Sequence, residues 1–362
     1  MLLADMGAEV VRIDRAVASP PANPPTWDVP LRGRRNVAID LRHPDGPGTL
    51  LDLVASADAL FEGFRPGVVE RLGVGPEPCL ERNPRLIYGR MTGWGQEGPY
   101  AAAAGHDLNY IALAGSLAHL GRAGQPPTPP LNLLGDYAGG AMFLVYGMVC
   151  ALLEARTSGE GQVVDAAMVD GVAALMAMWW GFSQMGRFDE HNRGGHYFDT
   201  GAHFFEVYEC ADGAYVSVAA IEPRFYAELL ARLDLADEPL FEVQRHPATW
   251  PAQKARLAEV FATRTRKEWC ELLEGSDACF APVLTMSEAA GHPHNVARRT
   301  FVDVDGVRQP APAPRFSRTV PVLGCPPAVP GQHTRQVLAD WGVAPARIDD
   351  LIRSGAVSCA TR

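Results

Sequence analysis

Four short apolar runs punctuate the first 95 residues: GAEVVRID, NVAIDL (Asn36 to Leu41), ALFEGF and RLIYGRMTGWG (Arg85 to Gly95). Each has the length and β-branched or aromatic content of a buried strand. Between them stand segments of helical character, chiefly HPDGPGTLLDLVASAD, where Asp45 and a Pro-Gly loop precede an apolar repeat. Strands that alternate with helices return to the sheet through crossovers, which makes neighbouring strands parallel. A doubly wound parallel sheet is therefore expected here. Pro66 is expected to open a short helix, at the position where its missing N–H costs least.

From Asp136 the pattern turns helical. DYAGGAMFLVYGMVCALLEARTSGEG predicts a long apolar helix with Asp136 at its start and a glycine past its last turn. DAAMVDGVAALMAMWWGFSQMG predicts a second helix. HFFEVYEC and AYVSVAA, joined by Ala-Asp-Gly, predict a β-hairpin, and PRFYAELLARL and Trp250 to Leu273 add amphipathic helix. The expected organisation is a large α/β domain over residues 1–185 and a smaller α+β domain over residues 198–303. In residues 310–362 a PAPAP linker leads to the helix TRQVLADWG, which returns to the large domain.

The net charge of −10 disfavours nucleic acid as a partner, because there is no basic excess to offset phosphates. Against that background Arg12, Arg15, Arg32, Arg34, Arg35 and Arg42 cluster near the N-terminus, and Arg65 and Arg71 follow. Such a section suits either a bound polyanion or a solvated face paired with carboxylates. Seven scattered cysteines with no C-x-x-C predict reduced thiols, hence a cytoplasmic protein, and no metal site. No run approaches the ~18 unbroken apolar residues of a membrane span, so no membrane partner is expected. The opening MLLADMGAEVVRID has neither the basic region nor the cleavage pattern of a secretory leader.

Chemistry-bearing residues stand out in three places. His106-Asp107 follows AAAAG; the histidine has an ordinary pKa near neutrality and suits a general base, while Asp107 suits a helix N-cap. Asp136, in PPLNLLGDYAGGAM, is either an N-cap or a carboxylate that glycines leave open to a ligand. A helix N-terminus would favour its anion and apolar walls its neutral form. Glu222, in VAAIEPRFYAELL, is a poor N-cap at an apolar junction, which suits a carboxylate that orients a histidine. Met168, Met176, Met178 and Met185, beside Trp179 and Trp180, suit either core packing or an adaptable surface for acyl chains. GVGP (Gly73 to Pro76) is too short for a phosphate loop. The absence of a P-loop, a full G-x-G-x-x-G and G-x-S-x-G disfavours nucleotide hydrolysis, ordinary NAD chemistry and an α/β-hydrolase.

RLIYGRMTGWGQEGPY, AGHDLNYIALAG, PPLNLLGDYAGGAMF and GQVVDAAMVDG, in this order, resemble the family III CoA-transferase superfamily, and AGHD together with AIEP resembles its racemase branch. The resemblance implies a Rossmann-like large domain, a small α+β domain and an interlocked homodimer, with the site between the large domain of one subunit and the small domain of the other. It implies interconversion of (2R)- and (2S)-2-methylacyl-CoA thioesters, with CoA as part of the substrate and no separate cofactor. By resemblance, His106 and Asp136 are the two proton-transfer bases and Glu222 holds His106 across the dimer interface. Gly105, Asp107, Leu108, Asn109 and Tyr110 line the thioester, the N–H of Asp107 facing its oxygen. Arg15, Ile39, Asp40, Leu41, Arg42, Gly63, Phe64, Arg65 and Arg71 match the CoA-binding positions. The alternatives are a transferase that forms an anhydride on Asp136, and a non-catalytic acyl-CoA-binding homologue. Relatives carry about twenty further residues, a strand and a turn, ahead of the position of Met1; a sheet without that strand is expected to expose its edges.

Overall fold

A computed structural model describes residues 1–16 and 27–360. The chain forms two compact units. The first comprises Met1–His106, Gly135–Gly171 and His292–Arg362; the second comprises Asp107–Leu134 and Val172–Gly291.

In the first unit the predicted strands form as β1 (Val10–Asp14), β2 (Arg34–Ile39), β3 (Ala59–Glu62) and β4 (Ile87–Thr92). Asp165 to Ala167, expected to open the second helix, instead end a strand, β5 (Gln162–Ala167), and the helix begins only at Met168. Its Val-Val pair lies parallel beside β4, where β-branched side chains fit the pleat, and that pairing overrides the helical period. β1 pairs parallel with β2, and β3, β4 and β5 pair parallel in that order. These are two three-stranded sheets, not one, so β1 and β3 each keep an unpaired edge among the described residues. Ile13 of β1 and Leu60 of β3 nonetheless pack into one cluster with Leu50, Val54, Val69 and Tyr88. Helix α1 (Gly46–Val54) contributes to that cluster. The next helix, α2 (Val68–Arg71), starts after Gly67, so Pro66 precedes the helix and does not open it.

Among the segments of the second unit, α3 (Asp107–Leu113) follows His106 directly. The chain re-enters the first unit at Gly135, within a nine-residue π-helix, Leu133–Ala141, that runs into α4 (Met142–Ser158), closed by left-handed Gly159. The helix thus starts before Asp136, and Asp136 lies inside it and is not its cap. The buried face of α4, Leu144, Met148, Ala151 and Ala155, rests on β4 and β5. Gly89 of β4 makes this approach possible: a Cβ there would stand 2.9 Å from Leu144 and 3.0 Å from the sulfur of Met148. By length and a mean hydropathy of 1.7, Leu133–Ser158 would also suit a membrane span, contrary to the expectation from unbroken apolar runs.

The second unit holds the predicted hairpin, β6 (Phe205–Glu209) and β7 (Tyr215–Ala219), with β8 (Phe280–Pro282) added antiparallel to β7. Its core is aromatic: Tyr208 stacks on Phe261 at 5.0 Å, and Trp269 meets Phe261 edge-on at 5.1 Å. Residues 107–134 and 172–185, expected in the large domain, cluster with this unit. A physical tie is visible in Arg122, which grips buried Glu206 of β6 with two bonds of 2.8 Å.

From His292 the chain returns to the first unit through the hairpin β9 (Phe301–Val304) and β10 (Val307–Pro310). TRQVLADWG forms the helix Thr334–Asp340, whose Thr334 hydroxyl accepts from Ala38 of β2 at 3.1 Å. It is not the last helix: Pro345–Ser354 follows, and β11 (Val357–Ser358) closes antiparallel on β2.

Candidate active site

The loop that leaves β4 delivers His106. Its first residues are pinned to the end of β4, to β5 and to the helix after it: Gly95 donates to Thr92 Oγ1 at 3.0 Å, Gln96 to Asp165 at 3.2 Å, and Val169 to the carbonyl of Gly93 at 3.1 Å. His106 itself is exposed, whereas the adjacent Asp107 is only 4% exposed and is the first residue of α3. The backbone N–H of Asp107 thus belongs to a first turn, where amides point out along the helix axis. Leu108 and Asn109 face outward, and Tyr110 is buried.

Asp136 sits half-buried in the π-helix between buried Gly135 and the buried pair Gly139-Gly140. A π-helix closes its hydrogen bonds one residue further along than an α-helix and is found frequently at functional sites. Here its glycines seat it on the strand ends. A Cβ on Gly140 would stand 2.9 Å from Met168 and 3.3 Å from the sulfur of Met91, at the C-terminal ends of β5 and β4. His106 and Asp136 therefore share one unit: His106 ends the loop that leaves the carboxyl end of β4, and Asp136 lies in the π-helix whose Gly140 seats on the carboxyl ends of β4 and β5, the side on which open α/β sheets bind ligands.

Glu222 belongs to the second unit. It occupies the N-cap position of the helix Pro223–Arg232 but makes no capping hydrogen bond, and its carboxylate is exposed.

The arginines divide in two. Arg32 is 2% exposed and bound to Asp5, Gln309 and the carbonyl of Pro310, tying the N-terminal segment to β10. Arg12 pairs with Asp14, Arg35 with Glu9 and Asp340, and Arg34 donates to the carbonyl of Pro30. These four are engaged within the fold. By contrast, Arg15, Arg42, Arg65 and Arg71 are exposed. Arg15 follows β1, Arg42 follows β2 and Gly63–Phe64–Arg65 follows β3, each at the carboxyl end of a parallel strand. Ile39 and Leu41 turn their side chains into the core, so only their backbone is offered to a ligand; Asp40 folds back to accept from the N–H of Arg42 at 3.0 Å.

The four methionines do not form one surface. Met168 lies under the π-helix, Met176 is half-buried, and Met178 and Met185 are exposed by 50% and 57%. Trp179 packs among Phe182, Phe188, His196 and Phe198. Two open clefts, of about 490 Å³ around Gly331–Asp340 and about 720 Å³ around Leu120–Pro130, are lined by none of His106, Asp136 or Glu222.

Reading the sequence also missed a charged group beneath the loop 63–65. Arg90 of β4 bonds Glu62 at 3.0 Å and Glu70 at 2.8 Å. An arginine inside an apolar strand run is the signal that was available.

Comparison with known proteins places these features. Residues 1–335 match CoA-transferase family III. The chain is 45% identical to α-methylacyl-CoA racemase of Mus musculus, over 96% of this chain and 90% of that one. It is 40% identical to α-methylacyl-CoA racemase of Homo sapiens, over 99% and 94% of the two chains. Among solved structures, a CAIB/BAIF family protein from Brucella suis superposes with a TM-score of 0.79 at 23% identity, covering 94% of this chain and 93% of its own.

Proposed function

This chain belongs to CoA-transferase family III, and from that premise we propose that it interconverts (2R)- and (2S)-2-methylacyl-CoA thioesters by removing and returning the α-hydrogen. The observation that carries the reading is the near full-length likeness to both racemase relatives, supported by one unit that carries His106 on the loop leaving β4 and Asp136 on the π-helix seated at the carboxyl ends of β4 and β5.

The hydrogen α to a thioester carbonyl is a weak acid, so a neutral-pH base removes it only if the developing enolate oxygen is stabilised. A positioned N–H supplies roughly 3–4 kcal/mol of that stabilisation. The amide of Asp107, one residue from His106, is the donor in this reading. The planar enolate has two faces, and inversion needs one base on each. His106 takes the proton on one face while Asp136 delivers one on the other; the reverse reaction exchanges their roles. One must hold a proton when the other does not. Glu222 steadies the imidazole and its developing charge.

The substrate is an acyl-CoA, its phosphates met by Arg15, Arg42, Arg65 and Arg71, and the reaction needs no separate cofactor. The working form is a homodimer in the cytoplasm. Two features support a second copy. His106 and Glu222 are each exposed, and a proton-transfer site must be shielded from water. Moreover, Met142, Tyr146, Val149 and Leu153 form an apolar stripe on the outer face of α4, at 52%, 71%, 43% and 60% exposure. That stripe, with the opposite face held by β4 and β5, explains the hydropathy of Leu133–Ser158 without a membrane.

The direct test is exchange of α-hydrogen for deuterium in D₂O from each enantiomer of a 2-methylacyl-CoA. Exchange with racemisation is expected. If the α-hydrogen stays in place and hydroxylamine traps an acyl group on Asp136 when a carboxylate acceptor is supplied, the chain is a transferase.

A further inference from the structure

Arg90 takes no part in the proposed proton transfer, yet it is a nearly buried charge held between two carboxylates. Its side chain is 9% exposed, at the centre of the three-stranded sheet. Nε donates to Glu62 Oε1 at 3.0 Å, Nη1 forms an ion pair with Glu70 Oε1 at 2.8 Å, and Nη2 is buried with no hydrogen-bond partner among the described residues. Glu62, with a side chain 6% exposed, ends β3, and its second oxygen accepts the backbone N–H of Phe64 at 2.6 Å. Glu70 lies in α2, next to Arg71.

One planar guanidinium therefore reaches the two carboxylates that bracket residues 63–69. Through Glu62 it sets the first turn of the loop Gly63–Phe64–Arg65. Through Glu70 it holds the short helix that carries Arg71, whose guanidinium lies 3.1 Å from where a Cβ of Gly67 would be. A lysine's single ammonium cannot present two separate arms in this way. Removing the guanidinium would leave Glu62 buried without its cation, and a buried carboxylate in that state moves toward water and takes its loop along.

We propose that Arg90, acting through Glu62 and Glu70, is a positioning residue for CoA binding: it holds the 63–65 loop and the Arg71 helix in the form that receives the phosphates. The inference rests on the reading of this section as the CoA site, and the test separates the two.

Binding of free CoA is measured by calorimetry on wild type, Arg90→Met, Arg90→Lys and Glu62→Gln, beside kcat and KM for racemisation and the melting temperature. For Arg90→Met the dissociation constant of CoA and the KM are both expected to rise about tenfold or more, corresponding to at least ~1.4 kcal/mol. The kcat is expected to stay within about threefold, because the bases are untouched. Arg90→Lys falls between this variant and wild type. Glu62→Gln, which keeps the shape and loses the charge, shows a smaller rise and carries the test if Arg90→Met does not fold. Folded variants that bind CoA as wild type does overturn the positioning role and leave the CoA site standing. A wild type that binds no CoA overturns the site itself.

Discussion

Gly171 stands against Gly139 so closely that a Cβ on Gly171 would lie 1.9 Å from the Gly139 carbonyl oxygen. Gly139 is three residues beyond Asp136, in the same π-helix. The helix after β5 thereby fixes the height of the segment bearing the candidate base, backbone against backbone, with no side chain able to yield.

Gly171→Ala is expected to displace the π-helix and lower kcat by about 10²-fold, the order expected for a reacting group misplaced by ~1 Å. Free CoA is expected to bind normally, since Arg42, Arg65 and Arg71 lie in other segments. Kinetics and calorimetry on one preparation check this; an Ala variant of full activity would mean that Asp136 does not need its present seat.

His106→Ala and Asp136→Asn are expected to fail on opposite faces. Each loses racemisation by roughly 10²–10⁴-fold, the range supplied by a positioned acid or base. Each keeps α-deuterium exchange with only that enantiomer whose hydrogen faces the surviving base. Mass spectrometry of the unreacted enantiomers reads this directly. Equal loss of exchange from both enantiomers in both variants would argue against one base per face.

The stripe on α4 is expected to be a dimer surface. Tyr146→Asp and Leu153→Asp place a charge at positions 71% and 60% exposed, so an isolated chain would tolerate them. Multi-angle light scattering is expected to show a dimer for wild type and a folded monomer for the double variant. A wild-type monomer with full racemase activity would remove the second copy from the mechanism.

Acid is expected to weaken the second unit through His203. Its ring is fully buried, Nε2 meets the Tyr226 hydroxyl at 2.8 Å, and Nδ1 has no hydrogen-bond partner among the described residues. Burial, helped by nearby Lys254, pushes its pKa down to about 3 from 6.5. Above pH 6.5 the ring is neutral folded or unfolded and contributes no pH dependence. As the pH falls from there to about 3, the unfolded chain takes a proton that the folded chain refuses, and stability is lost by roughly 4–5 kcal/mol at most. Thermal melts between pH 7 and pH 4 are expected to fall less steeply in His203→Asn.

Phe261→Ala is expected to destabilise the second unit by about 3–5 kcal/mol, since it empties a fully buried site between Tyr208 and Trp269. Chemical denaturation measures it. A loss under 1 kcal/mol would show that the aromatic core closes over the gap.

What the sequence determined by itself was local and periodic. The four N-terminal strands, the Asp-Gly hairpin of β6 and β7, the left-handed Gly159 and the exposed Glu222 at an unsuitable cap were all legible, because each follows from neighbours along the chain. The tertiary structure decided what depends on distant partners. GQVVDAA became a strand because β4 offers it an edge. Asp136 went into a π-helix because Gly139 and Gly140 must seat on Gly171, Met168 and Met91. Arg12, Arg32, Arg34 and Arg35 were drawn into the fold while Arg15, Arg42, Arg65 and Arg71 stayed exposed, a division that charge spacing does not encode. A charge is read identically at every position in a sequence, but its worth is set by the group that the fold brings against it, and that group is often hundreds of residues away.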